Sequence, residues 1–104
     1  MARLLLGILA CVSASASFAQ TDPQHARSIA ATCAACHGTD GAAVPGEAMV
    51  ALAGYPKPAL IAQLKAFRDG TRIATVMHQI TRGYTDAEID AIAAWFAAQP
   101  ARSR

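Results

Sequence analysis

Two cysteines three residues apart, with a histidine directly after the second, limit this chain more than any other stretch: Cys33-Ala34-Ala35-Cys36-His37. This spacing is the attachment signature of a c-type haem. Each thiol adds across one vinyl group of the porphyrin, and the adjacent imidazole of His37 is placed to bind the iron. A cofactor fixed by two covalent bonds needs no large cavity to retain it, which suits a short chain. Two other chemistries compete for the same residues. A redox dithiol normally opens a helix beside a strand-helix-strand unit, and no stretch here alternates convincingly as strand. A zinc site needs four ligands, and only His25 and His78 are available to supplement the pair.

The context favours haem. Arg3, the apolar run Leu4 to Val12, and the small residues closing Ser17-Phe18-Ala19 read as a signal peptide, residues 1–19, cut after Ala19. The domain is then residues 20–104. The apolar run is too short to span a bilayer, and no later segment supplies a membrane helix. Leu9-Ala10-Cys11 is a rival lipoprotein cleavage site, though few apolar residues precede it. Export to the periplasm agrees with covalent haem attachment, and an unmodified dithiol there tends to oxidise.

Charge excludes other classes. The chain has nine Lys+Arg against seven Asp+Glu, so it shows no nucleic-acid footprint and no field strong enough to specify a partner. Alanine is abundant, which favours helix and lets helices approach closely. A core this short of large side chains is thin, and a bound haem supplies much of the missing apolar centre.

Helix punctuation is clear along the remaining sequence. Asp22-Pro23 opens a helix expected to run to about Ala34, with His25, Ile29 and Cys33 along one side. From Gly38 to Pro56 there is no sustained period, only small residues and the turn signal Pro45-Gly46. A backbone carbonyl in this stretch, Pro45 being one candidate, is expected to hold the second ring nitrogen of His37. Lys57-Pro58 opens a helix from Pro58 to Asp69, stopped by Gly70. Its stripe is Leu60, Leu64 and Phe67, with Gln63, Lys65 and Arg68 toward solvent. Thr85-Asp86-Ala87-Glu88 is a capping box for a last helix to about Gln99, with Ile89, Ile92, Ala93 and Phe96 buried. The fold is therefore expected to be all-α.

The second iron ligand is chosen from Met77, Met49, His78 and His25. Met77 lies forty residues beyond His37 between two helices, far enough for the chain to cross to the other face of the ring. Met49 follows His37 by only twelve residues, and His78 points elsewhere if the turn is helical. Met77 is the expected ligand; Met/His ligation raises the potential. His78, Tyr55, Tyr84, Arg72 and Arg82 are candidates for the haem edge, its propionates or a partner surface.

These motifs carry a resemblance. Cys33 to Gly38, Leu52-Ala53-Gly54-Tyr55, Leu64 to Gly70, Met77, Thr85 to Ile89 and Ile92-Ala93-Ala94-Trp95-Phe96 together resemble the class I cytochrome c family over nearly the whole mature chain. The resemblance implies a small class I cytochrome c fold wrapped around one covalently attached haem c, with Cys33 and Cys36 attached and His37 and Met77 as axial ligands. Val76-Met77-His78-Gln79-Ile80 followed by Arg82-Gly83-Tyr84-Thr85 is most similar to the monohaem cytochrome subunit of flavocytochrome c sulfide dehydrogenases. That likeness implies an FAD-containing sulfide dehydrogenase subunit as electron donor, with FAD only in the partner, and a soluble or membrane-linked acceptor. It implies an electron-transfer subunit that is non-catalytic alone. Two other readings are a free-standing periplasmic shuttle and a haem sensor or peroxidase-like enzyme, the last requiring an open distal position.

Overall fold

A computed structural model describes residues 22–101. The expected signal peptide, its cleavage site and Cys11 lie outside the described residues. Five α-helices and one 3₁₀ turn make up the regular structure of the described residues: α1 Pro23–Ala31, α2 Ala34–His37, the turn Thr39–Gly41, α3 Lys57–Asp69, α4 Met77–Thr81 and α5 Asp86–Ala98. There is no strand among the described residues. The expected all-α architecture is thus the observed one. No helix among them is long and apolar enough to cross a membrane.

The helix ends follow their local chemistry. Asp22 caps α1, its carboxylate accepting from the Gln24 N–H at 3.0 Å, and Pro23 takes the first turn, where a missing donor costs nothing. The expected run to Ala34 is interrupted. Thr32 and Cys33 keep helical dihedrals, but their N–H groups bond three residues back, to Ile29 and Ala30. The Thr32 hydroxyl also donates to the Ile29 carbonyl at 2.7 Å, the back-bonding that makes threonine a poor interior helix residue. This tightened turn separates α1 from the short α2 that carries Cys36 and His37.

Helix α3 begins at Lys57, one residue earlier than expected, and ends where Gly70 adopts the left-handed conformation at φ 78°. The box at the start of α5 is complete: the Glu88 N–H donates to Thr85 Oγ1 at 3.2 Å and the Thr85 N–H to Glu88 Oε2 at 2.8 Å.

Helix α5 packs against α1 and α3, and α3 also carries α4. Ile89, Ile92, Ala93 and Phe96 of α5 form the core with Leu60 and Leu64 of α3 and Ala30 of α1. Each expected α5 stripe residue is buried. Residues 42–56 contain no helix. Their base is closed by the Gly41 carbonyl, which accepts from the N–H groups of Leu52 at 2.8 Å and Ala53 at 3.1 Å. The Gly54 N–H then donates to the Phe96 carbonyl at 2.8 Å, tying the loop to α5.

Candidate haem site

Cys33 and His37, at opposite ends of the turn leading through α2, face one cavity of about 350 Å³. Met77, the first residue of α4, lines the same cavity, as does Met49 from the loop. Between them the wall is apolar, with Leu52, Leu60, Leu64, Phe67, Ile92 and Phe96. Cys36 is exposed, one helical step from Cys33, its N–H donating to the Cys33 carbonyl at 3.3 Å.

His37 is 8% exposed and its two ring nitrogens differ. Nδ1 lies 2.7 Å from the Val50 carbonyl, so Nδ1 carries the proton and donates it there. Nε2 is then the lone-pair nitrogen, and it is buried without any hydrogen-bond partner. A buried acceptor left unpaired costs free energy unless something else satisfies it. A metal bound at Nε2 does so, and the bond at Nδ1 fixes the tautomer that such a metal needs. The expected loop carbonyl therefore exists, but it belongs to Val50 and not Pro45.

Burial pushes the Cys33 thiol above its ordinary range, the Thr32 hydroxyl pulls it part of the way back, and Cys36 adds to the rise. Cys33 is thus a protonated thiol at neutral pH. No group of three or more His, Cys, Asp or Glu side chains among the described residues is arranged to hold a metal ion. His25 instead sits 3.9 Å from Glu88 on the surface.

The remaining candidates divide. Tyr55 and Arg72 line the cavity, and the Arg72 guanidinium lies 4.8 Å above the centre of the Phe67 ring. Among the described residues Arg72 is the one cation in that wall, available to a carboxylate of the bound group. Arg82 points to the Gln79 amide at 3.4 Å. Tyr84 is held away, its hydroxyl 2.8 Å from Thr32 Oγ1 and its carbonyl accepting from Arg68 at 3.3 Å. Gln63, expected toward solvent, is part of the cavity wall. It is one position before the buried Leu64, and α3 is covered over a wider arc than its apolar stripe because the cavity opens beside it. His78 does not line the cavity; its Nδ1 is buried without a hydrogen-bond partner.

An apolar cavity with a buried imidazole nitrogen, a thiol, two thioethers and one cation fits an iron porphyrin. Comparison with known proteins agrees. The family described as cytochrome c matches residues 26–99. A thiosulfate dehydrogenase electron acceptor of Thiomonas intermedia is 42% identical over 71 residues, which is 65% of this chain and 32% of that protein. Cytochrome c-554(548) of Halomonas halodenitrificans is 38% identical over 71 residues, 65% of this chain and 84% of that protein. The cytochrome subunit of sulfide dehydrogenase of Chlorobaculum tepidum is 37% identical over 65 residues, 62% of this chain and 57% of that protein. The chain spans about a third of the first of these relatives. The chain belongs to the cytochrome c family, with the all-α class I fold, covalently bound haem c and a role in electron transfer.

Proposed function

We propose that this chain is a periplasmic electron carrier that serves as the haem c subunit of an FAD-containing sulfide dehydrogenase. The observation that carries the electron-carrier part is the shared cavity: the free Nε2 of His37 and the thioether of Met77 line it together beside the Cys33 thiol. Haem held there supplies a one-electron Fe(III)/Fe(II) couple. Cys33 and Cys36 anchor it through thioether bonds. His37, its Nδ1–H held by Val50, would offer Nε2 to the iron, and Met77 would offer its thioether sulfur. Met49 adjoins Val50, whose carbonyl holds His37, whereas Met77 arrives on α4 from the α3 side of the fold. The leucine and phenylalanine walls exclude water, and apolar surroundings with a methionine ligand favour the reduced state. No residue needs to move a proton.

The partner is read from the surface beside Met77. Ile73 is 97% exposed, Val76 47% and Ile80 39%, and none of them lines the haem cavity. Arg72 and Arg82 flank them, and no carboxylate occurs between residues 70 and 85. Exposed apolar side chains grouped in this way suit a protein contact. The sulfide partner itself rests on the likeness of Val76 to Ile80 and Arg82 to Thr85 to sulfide dehydrogenase cytochromes. A second reading, acceptor for a thiosulfate dehydrogenase, is favoured by the 42% identity to a protein of that name.

The test is to purify the tagged, haem-loaded protein from its own periplasm and record the absorption of what accompanies it. Co-purifying flavin, with haem reduction on adding sulfide, supports the subunit. Reduction by thiosulfate and not sulfide selects the second reading; haem alone, unmoved by either, leaves a free-standing shuttle. Met77→Ala is expected to open the iron to carbon monoxide and lower the potential. An unchanged spectrum and potential reject Met77 as ligand.

A further inference from the structure

Helix α4 is only five residues long, too short to persist on its own hydrogen bonds. Something must therefore hold Met77, its first residue, in place over the cavity. The chain supplies one continuous series of contacts. Thr81 Oγ1 donates to the Met77 carbonyl at 2.8 Å. The Thr81 carbonyl accepts from the Tyr84 N–H at 3.2 Å. The Tyr84 hydroxyl meets Thr32 Oγ1 at 2.8 Å, and Thr32 directly precedes Cys33. Arg68 of α3 bonds the Tyr84 carbonyl at 3.3 Å from the other side.

Thr81 is the unusual member. It is 1% exposed, one of the most completely buried side chains described. Threonine is a moderate helix former that commonly sits on a surface or at a cap, and burying its hydroxyl is tolerable only with a partner. Here that partner is the backbone of Met77 itself. We infer that Thr81 and Tyr84 are positioning residues for Met77: the first fixes the backbone of the ligand, and the second ties that turn to the segment that carries the haem thioethers. The inference rests on the assignment of Met77 as ligand. It adds a mechanical link between the two covalent anchors of the haem and its distal ligand, built from side chains that do not touch the haem cavity.

The experiment is a titration of the oxidised, haem-loaded protein with imidazole, which competes with the thioether for the iron and is followed by the absorption change. Thr81→Val keeps the shape and removes the hydroxyl; imidazole is expected to bind about five-fold more tightly, the effect of losing one buried hydrogen bond. Thr81→Ser restores the hydroxyl and is expected to return the affinity toward that of the natural chain. Tyr84→Phe, a mild change that retains the ring, is expected to shift it about two-fold in the same direction. Lys57→Ala breaks a surface ion pair with Asp90 and is expected to leave it unmoved despite any loss of stability. An unmoved affinity in both Thr81→Val and Tyr84→Phe overturns the inference. So does Thr81→Ser behaving like Thr81→Val, which would show that the hydroxyl bond does not hold the ligand in place. Met77→Ala separates the two levels. If it greatly tightens imidazole binding while the Thr81 and Tyr84 variants do not, the ligand stands and the positioning role falls. If it leaves imidazole binding unchanged, both fall.

Discussion

Replacing Gly41 by alanine tests how tightly the loop is seated on the core, and Gly70 provides the matched comparison. Both have similar positive φ, 74° and 78°. A Cβ at Gly70 meets nothing within 4 Å, whereas one at Gly41 lies 2.8 Å from Leu52 Cβ, 2.8 Å from Phe96 Cδ1 and 2.9 Å from the Ala53 nitrogen. The left-handed backbone costs an L-residue about 1–2 kcal/mol. Alanine recovers about 0.4–1 kcal/mol by restricting the unfolded chain. These two effects are common to both sites, so Gly70→Ala is expected to lose about 1 kcal/mol. At Gly41 the overpacking adds about 1–3 kcal/mol. The upper part of that range applies, because Phe96 is fully buried and the Ala53 N–H is bonded to Gly41's own carbonyl. Urea unfolding of the two haem-loaded variants is thus expected to separate them by about 2–3 kcal/mol. Phe96 also lines the haem cavity, so Gly41→Ala is further expected to shift the haem absorption and Gly70→Ala to leave it alone. Equal stabilities within about 0.5 kcal/mol, a difference too small for overpacking, together with unshifted spectra, would refute the close seating of the loop.

Thr85→Ala removes one half of the capping box and is expected to cost about 1 kcal/mol, lowering Tm by about 4–8 °C in a domain of this size; a scan of the haem-loaded protein checks it. Phe96→Ala empties the centre of the core and is expected to cost about 3–5 kcal/mol by urea unfolding. Acid weakens the start of α5: Arg68 first, then Lys65, hold Asp86 below its usual 3.8, and the Thr85 N–H and hydroxyl hold Glu88 below its usual 4.5. Depressed carboxyl values stabilise the fold fully above those usual values, and the contribution disappears as pH falls through the lower folded ones. Asp86→Asn and Glu88→Gln are therefore expected to flatten the fall of Tm below about pH 4.5. An acid limb as steep as that of the natural chain would count against these contacts.

Local chemistry was legible in the residues. The Asp22 cap, the Gly70 stop and the Thr85–Glu88 box each depend on neighbours within a few positions, and each occurs where the pattern put it. The stripe on α5 was equally clear, since a 3.6-residue period is a property of the segment alone. Non-local choices were not. Any of several carbonyls in residues 38–56 was free to accept from His37, and closure of the loop on Gly41 decides for Val50. Gln63 reads as polar and outward, but the cavity opens beneath it. Tyr84 is a fair candidate for a haem edge until the tightened turn at Thr32 brings a hydroxyl within reach of it. That turn has no glycine or proline to announce it; a threonine competing for a helix carbonyl made it.

The pair of hydrogen bonds accepted by the Gly41 carbonyl has a further consequence. Because Leu52 and Ala53 close the loop at its base, and Val50 is held by His37, the bend at Pro45-Gly46 is insulated from the iron. Doubling the length of such a closed loop costs only about 0.6 kcal/mol in closure entropy. The bend is thus a natural socket for inserted sequence, such as an affinity epitope, a fluorescent reporter or a graft that recruits a different donor. New partners can be engineered or evolved there, while the chemistry of the haem is left as it was.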